Sequence, residues 1–136
     1  MTSTFTTEEL TYLTSQFLGR LATVDADGAP QNNPVGFTVN DDGTIDIGGR
    51  QMGQTRKFRN VRATGHAALV VDDLVSTDPW TVRGIEVRGT ADALDDADPT
   101  MQGMSREVIR ITPTWIASWG LVEGASMSIK GRRPAA

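Results

Sequence analysis

The sequence feature that most limits the fold of this chain is a run from Arg83 to Ala93 in which apolar and polar residues alternate. Successive side chains of a β-strand point to opposite faces, so this run predicts a strand with one buried face. Shorter patterns predict further strands at residues 21–24, 30–39, 45–47, 66–71, 108–118 and 125–130. The turn signals Asp25-Ala-Asp27-Gly28 and Asp41-Asp42-Gly43 are typical of β-hairpins. Short strands, hairpin turns and few helices together predict a mainly β protein, an antiparallel barrel with peripheral helices.

One helix is predicted near the N-terminus. Thr6 and Glu9 have the spacing of a capping box, in which the two residues bond each other's backbone N–H groups. Gly19 would end this helix. An apolar stripe at helical spacing would pack on the sheet: Leu10, Leu13 and Phe17.

The remaining segments give simpler predictions. His66–Val71 is almost continuously apolar, which predicts a central strand covered on both faces. Residues 72–81 and 94–107 are predicted loops, the second with a short helix, and the strand at 108–118 should be interrupted at Thr112-Pro113. The length predicts one domain over residues 1–136, with 131–136 as a disordered tail.

The strand at Ile45 leads through a glycine-bearing turn into a strongly basic helix. The chain has 17 acids against 13 bases, yet no Asp or Glu lies between Asp46 and Asp72. A strand, a glycine turn and a helix in succession direct backbone N–H groups and the positive helix end at one point, to which Thr55 adds a hydroxyl. This pattern predicts a phosphate site, although a solvated basic helix fits equally well. Phe58 and Val61 should face inward, leaving the bases outside: Arg50, Arg56, Lys57, Arg59 and Arg62.

The strand before this unit carries a second candidate feature. Pro34 cannot donate to a strand ladder, so this end of the strand should be an edge, a bulge or a place where another group approaches. Asn32 and Asn33 precede it and offer hydrogen bonds to a planar heterocycle. A polar strand end with a kink is the simpler interpretation.

Composition excludes several classes of protein. The absence of cysteine excludes disulfides, thiolate metal sites and a cysteine nucleophile, and the single histidine, His66, leaves little for a metal site or a catalytic triad. No apolar run approaches 18 residues and the N-terminus does not resemble a signal peptide, so we expect a cytoplasmic protein without a membrane span. A net charge of −4 argues against nucleic-acid binding, and the one aromatic residue among the clustered bases, Phe58, is expected to face inward.

Four segments follow one another as in a known family: LGRLATVDADGAPQNNPVGF, IDIGGRQMGQTRKFRNVRATGHAALVVDD, IEVRGTADAL and IRITPTWIASWG. From Leu10 to Lys130 the chain resembles the split β-barrel flavin-binding family typified by pyridoxamine 5′-phosphate oxidase. It is most similar to the actinobacterial branch that uses the deazaflavin coenzyme F420. The resemblance implies a split antiparallel β-barrel with peripheral helices. It also implies a homodimer with cofactor sites at the interface. The arginine-rich C-terminal signature of true pyridoxamine phosphate oxidases is missing, so that activity is not expected.

The resemblance also implies which residues bind the cofactor. Thr55, Arg56 and Lys57 match the element that holds the phosphate in this family. Two strands would lie along the tricyclic ring, contributing Asn32, Asn33, Pro34, Val35 and Gly36 from one, and Gly48, Gly49 and Arg50 from the other. Pro79, Trp80 and Trp119 would complete the pocket from the partner chain. No residue is nominated as a catalytic acid, and no metal is expected.

The clustered bases partly distinguish between the two possible cofactors, FMN and F420. FMN ends in one phosphate, for which Thr55, Lys57 and one arginine suffice. F420 continues into carboxylates, which the surplus bases would bind through bidentate contacts: Arg50, Arg56, Arg59 and Arg62. The expected function is therefore an F420H2-dependent reductase that transfers a hydride to an activated double bond of a small organic substrate. An FMN-dependent oxidoreductase of the same fold and a non-catalytic F420 carrier are the alternatives.

Overall fold

The computed structural model describes residues 4–122 and 130–134, which form two α-helices, a short 3-10 helix and eight strands. In chain order the elements are α1 (Thr7–Ser15), β1 (Leu18–Val24), β2 (Pro30–Gly36), β3 (Thr38–Val39), β4 (Ile45–Ile47), the 3-10 helix (Met52–Gln54), α2 (Arg56–Thr64), β5 (His66–Thr77), β6 (Trp80–Leu94), β7 (Val108–Trp119) and β8 (Lys130–Arg132). Neither α-helix has the length and apolar character that crossing a membrane would need.

The strands form one antiparallel sheet in the order β2-β1-β5-β6-β7-β4-β3, with β8 beside the C-terminal half of β7. The sheet curls into a split barrel with peripheral helices, so the predicted fold class is confirmed. The two ends of this order, β2 and β3, are consecutive in the chain and separated only by Phe37. Pro34 therefore lies on an edge strand, as predicted, where a missing N–H is tolerated.

The core lies between the concave face of the sheet and α2. Along β6 the predicted alternation is confirmed, because Ile85 and Val87 are buried while Arg88 is exposed. Helix α2 packs on β1, β6 and β7 through Phe58 and Val61, which are 2% and 1% exposed. The inward face of the basic helix was thus predictable from its two apolar residues. The interruption predicted in β7 is a β-bulge at Pro113–Trp115, opposite Arg88 and Gly89 of β6.

Helix α1 is shorter than its sequence pattern predicts. The capping box of Thr6 and Glu9 is confirmed, but the helix ends at Ser15 rather than Gly19. Residue Gln16 is already extended, because β1 must begin at Leu18 to pair with β2. Of the predicted stripe, Leu13 is buried as predicted, whereas Leu10 is 37% and Phe17 89% exposed; the helix also buries Tyr12.

The predicted loop at residues 72–81 is wrong. Strands β5 and β6 continue through it as a hairpin whose last pair is Thr77 and Trp80. Cross-strand pairing keeps polar residues extended where their own pattern does not indicate a strand. Burial alternates along β5 and His66 is exposed, so the expectation that both faces are covered is wrong as well. The loop at 95–107 contains turns but not the expected helix.

The C-terminal region carries structure where none was expected. Gly131 and Arg132, predicted to be disordered, pair with β7 as part of β8. The guanidinium of Arg132 donates to both carboxylate oxygens of Glu9 in α1, at 2.9 and 2.6 Å. The strand predicted at residues 125–130 lies outside the described residues except for Lys130, which begins β8.

Candidate functional site

An open cleft of about 450 Å³ forms where three separate segments meet. They are the end of β2, the glycine turn after β4 and the start of α2. The lining residues are Pro34, Val35, Gly36, Gly48, Gly49, Arg50, Gln51, Met52, Gln54, Thr55 and Lys57. Eight of the residues proposed from the sequence are among them, so folding brings the two predicted ring strands and the predicted phosphate helix to one place. Gln51, Met52 and Gln54 were missed, although their position inside the glycine turn could have indicated them.

The start of α2 gives this cleft the properties of an anion site. Thr55 is the N-cap, and its side-chain oxygen accepts a hydrogen bond from Phe58 N at 3.3 Å. The N–H groups of Arg56 and Lys57 belong to the first helical turn and have no carbonyl partner within the helix. Together with the positive end of the helix dipole and the half-buried Lys57, they offer an anion both hydrogen bonds and charge.

The hydroxyl of Thr55 has a different role from the one expected. It donates to the carbonyl oxygen of Met52 at 2.7 Å, while the same oxygen accepts from Phe58 N. The hydroxyl proton is therefore used inside the protein, where it ties the 3-10 helix to α2. Thr55 lines the cleft, but the hydrogen-bond donors directed at an anion are the backbone of α2 and the side chain of Lys57.

The five clustered bases do not form one patch. Arg50 and Lys57 line the cleft, whereas the exposed Arg56 is not among its lining residues. Arg59 donates to the carbonyl oxygen of Gln54 at 3.0 Å. Arg62 pairs with Asp95, and its guanidinium lies 4.9 Å from the centroid of the Phe58 ring. Arg59 and Arg62 are three residues apart and lie on one side of the helix; they are separated by the different partners that their guanidinium groups take.

Five further predicted residues lie outside the cleft of the single chain. Asn32 is exposed and Asn33 half-buried on β2, before the segment that lines the cleft. Pro79 and Trp80 form the tip of the β5–β6 hairpin, where Trp80 is 71% exposed. Trp119 ends β7 and covers Gly84 of β6, since a Cβ built on that glycine would lie 2.6 Å from the Trp119 ring. A contribution of Pro79, Trp80 and Trp119 to a partner's site stays a prediction.

Apart from Thr55 and Lys57, the lining of the cleft has no side chain of the types that act as acids, bases or nucleophiles. Its lining has no His, Asp, Glu, Tyr or Ser. The hydroxyl of Tyr12, a residue of α1, donates a hydrogen bond to Asp73 at 2.7 Å. Burial together with this hydrogen bond raises the pKa of Tyr12. In the part of the chain that the structure describes, no three His, Asp or Glu side chains are grouped to hold a metal ion. Redox or group-transfer chemistry in this cleft would therefore come from a bound cofactor.

Comparison with known proteins identifies the family. A family model described as pyridoxamine 5′-phosphate oxidase matches residues 5–128, and the chain belongs to this family. The chain is 45% identical over 130 residues to the 5a,11a-dehydrotetracycline/5a,11a-dehydrooxytetracycline reductase of Streptomyces rimosus. This match covers 94% of this chain and 92% of the relative. The chain is an oxidoreductase of a family that binds flavin-type cofactors.

Solved structures of low sequence identity share the fold. A heme-binding protein from Mycobacterium smegmatis superposes with a TM-score of 0.69 at 15% identity; the match covers 93% of this chain but 56% of that one. General stress protein 26 from Bacillus anthracis gives a TM-score of 0.63 at 17% identity, covering 93% and 95%. At these identities the comparison supports the split-barrel fold and carries no information about ligand.

Proposed function

We propose that this protein is an F420H2-dependent reductase that reduces an activated carbon–carbon double bond of a small organic substrate. The observation that carries this proposal is the cleft itself. It joins an anion site at the start of α2 to two glycine-containing backbone segments, and Lys57, which belongs to the anion site, is its one lining side chain of an acid–base type. Such a cleft suits a cofactor that brings both a phosphate and a reactive ring.

The residues of the cleft fit a phosphorylated tricyclic cofactor. The N–H groups of Arg56 and Lys57 and the ammonium of Lys57 would hold the phosphate. Gly36 and Gly49 would allow the ring to approach the backbone closely, because a Cβ built on Gly36 has no atom within 4 Å and one on Gly49 meets only ordinary contacts at 3.5 Å or more. Pro34 and Val35 add an apolar surface on the β2 side.

A neighbouring groove favours the deazaflavin over FMN. It measures about 380 Å³, shares Arg50, Gln51 and Gln54 with the cleft, and extends to Arg62. A tail that continues past the phosphate would find two arginines along this path, whereas FMN would leave it empty. Two acids, Asp95 and Glu107, also line the groove, so a tail can bind there only if the arginines are available to it. Asp95 pairs with Arg62, but both side chains are largely exposed, 75% and 54%. An exposed pair of this kind is worth about 0–1 kcal/mol and can exchange for a carboxylate of the ligand.

The protein would position the reactants and restrict the access of water to them. A reduced deazaflavin supplies the hydride, and its carbon-centred donor reacts little with oxygen. The cleft would hold the substrate against the ring and restrict water around it. The double bond would receive the hydride on one carbon and a proton on the other. Lys57 is assigned to the phosphate and the lining has no other side chain of a usual proton-donor type, so we assign the proton to solvent.

The similar Streptomyces reductase suggests the substrate class. Its name describes reduction of dehydrotetracyclines, in which the prefix marks a double bond in a fused polycyclic skeleton. We propose a conjugated polycyclic compound of this kind as the first substrate to test.

A homodimer is part of the same proposal. Several apolar side chains of the described chain are more than half exposed, including Phe17, Leu18, Val75 and Trp80. A second copy would bury them and bring Trp80 and Trp119 toward the neighbouring cleft. Sedimentation should give twice the chain mass of 14.6 kDa at micromolar concentration; a monomer would remove this part of the proposal.

The test is a binding titration followed by turnover. F420 and FMN are titrated side by side, and F420 should bind more tightly. F420H2 is then mixed with a 5a,11a-dehydrotetracycline without oxygen, and oxidised deazaflavin and reduced product should form in equal amounts. Preferential binding of FMN would refute the cofactor assignment, while F420 binding without turnover of any activated alkene would reduce the protein to a carrier.

A further inference from the structure

The loop at residues 95–107 is hydrogen-bonded to the glycine turn that lines the cleft. Ser105 takes part in three hydrogen bonds with this turn. Its backbone N–H donates to Gly49 O at 2.8 Å, and its hydroxyl donates to the same oxygen at 3.1 Å. The backbone N–H of Met52 donates to the Ser105 hydroxyl oxygen at 3.1 Å. One side chain thus links both ends of the 49–52 turn, whose middle residues Arg50 and Gln51 line the cleft.

The same loop packs against the two glycines that flank this turn. A Cβ built on Gly48 would lie 2.3 Å from Thr100 Oγ1, and one built on Gly53 would lie 3.0 Å from Glu107 Cδ. At these distances neither position has room for a side chain unless the loop moves. A side chain at either position would therefore displace the side chain of Thr100 or Glu107.

The loop is itself held in shape, so it can act as a support. The N–H of Ala97 donates to the carbonyl oxygen of Arg106 at 2.8 Å, closing the loop across its base. The side chains of Arg106 and Asp96 form an ion pair at the same place. Ser105 immediately precedes Arg106 in the chain and is half-buried.

We propose that Ser105 is a positioning residue of the cofactor cleft. By tying Gly49 to Met52, it holds Arg50 and the backbone of the glycine turn in the arrangement that faces the ligand. A loop more than forty residues along the chain from this turn then sets how tightly the cofactor binds. The identity of the ligand rests on the proposed function, whereas the link between Ser105 and the turn does not.

Removal of the hydroxyl should loosen one end of the turn only. In Ser105→Ala the carbonyl of Gly49 keeps the N–H of residue 105, but the N–H of Met52 loses its partner. The turn should open at Met52 while the core stays folded. The loss of one ordinary hydrogen bond corresponds to roughly fivefold weaker binding, and we expect that change for FMN. Ser105 also lines the groove proposed for the F420 tail, so the change for F420 should be at least as large.

The experiment compares three variants with the wild type. Ser105→Ala removes the hydroxyl, whereas Ser105→Thr keeps a hydroxyl at this position. The matched control is Gln102→Ala, which changes an exposed residue of the same loop. Dissociation constants for F420 and FMN, melting temperature, and amide hydrogen exchange at Met52 in the cofactor-free protein are measured for each. If Ser105→Ala does not fold, Ser105→Cys keeps the volume with a weakly bonding thiol.

The proposal predicts weaker binding and faster Met52 exchange in Ser105→Ala, with Ser105→Thr and Gln102→Ala close to the wild type. Unchanged affinity, unchanged Met52 exchange, or a loss in Ser105→Thr equal to that in Ser105→Ala would each overturn it. A wild type that binds neither cofactor would instead refute the proposed function, and Met52 exchange would still decide whether Ser105 holds the turn.

Discussion

The carboxylate of Glu9 is buried beneath a single arginine, and removing that arginine should destabilise the fold strongly. The Glu9 side chain is 2% exposed and accepts from Arg132 at 2.6 and 2.9 Å and from Thr6 N at 2.9 Å. Arg132→Met keeps the apolar stem but leaves the charge of Glu9 with only the backbone N–H of Thr6 and the side chain of Ser118 as partners. Loss of one partner of a buried ion pair costs about 3–5 kcal/mol. The Arg132 side chain is 38% exposed, so we expect the lower end, about 3 kcal/mol.

The pH dependence identifies the cause of this loss. Burial by itself raises the pKa of Glu9, but hydrogen bonds from Arg132 and Thr6 outweigh it and hold the pKa below its ordinary value of 4.5. A lowered pKa contributes stability that is present above the unfolded-state pKa and is lost as the pH falls through the folded-state pKa. In Arg132→Met burial, Thr6 and Ser118 remain, so the pKa of Glu9 should rise. The gap in stability between wild type and variant should therefore begin to narrow as the pH falls through the raised pKa of the variant, and should go on narrowing down to the lowered pKa of the wild type.

The assay is urea unfolding of both proteins at pH 7 and pH 4. Glu9→Gln combined with Arg132→Met is the control, because it removes the charge as well as its partner and should recover part of the loss. A loss below about 1 kcal/mol at pH 7, the value of an exposed pair, would show that solvent reaches the carboxylate. A loss of the same size at both pH values would show that charge is not its cause.

Three further predictions concern α2 and the cleft. Phe58→Ala should cost about 3–5 kcal/mol because the ring is 2% exposed, whereas Arg59→Ala should leave urea unfolding nearly unchanged; equal losses would mean that the helix faces the other way. Lys57→Met should weaken F420 and FMN alike by about 1.5–3 kcal/mol in a binding titration, and an effect on one cofactor only would remove Lys57 from the phosphate site. Arg50→Gln should weaken F420 more than FMN, with a difference that shrinks as salt rises, because charges are screened over about 10 Å at 0.1 M. Arg56→Gln is its control outside the cleft, and equal effects of the two changes on F420 would contradict the assigned path of the tail.

Local patterns in the sequence were sufficient for the elements and for much of the cleft. The alternation along β6, the capping box of Thr6, and the inward side of α2 all depend on residues a few positions apart. Side-chain direction repeats every two residues in a strand and about every 3.6 in a helix, so such features follow from spacing alone. The resemblance to a family then indicated which strands and which helix would meet, and the structure brings Pro34, Gly48 and Lys57 to one cleft.

Other features depended on partners that spacing does not reveal. The hydroxyl of Thr55 suits a phosphate in the sequence, but the fold places the carbonyl of Met52 in front of it. The clustered bases look like one patch, yet Arg62 meets Asp95 from the loop that follows β6. A hydrogen bond or an ion pair forms with whichever group the fold brings within about 3 Å, and the local sequence does not contain that group.

The longest links came entirely from tertiary structure. The β5–β6 hairpin extends through polar residues because each strand supplies the other's backbone partners. Ser105 reaches Gly49, and Arg132 reaches Glu9. The sequence determined which segments could form strands and helices and where positive charge was concentrated. Only the folded barrel decided which of those groups are already paired with each other and which face the cleft, because pairing depends on distance in space between residues far apart in the chain.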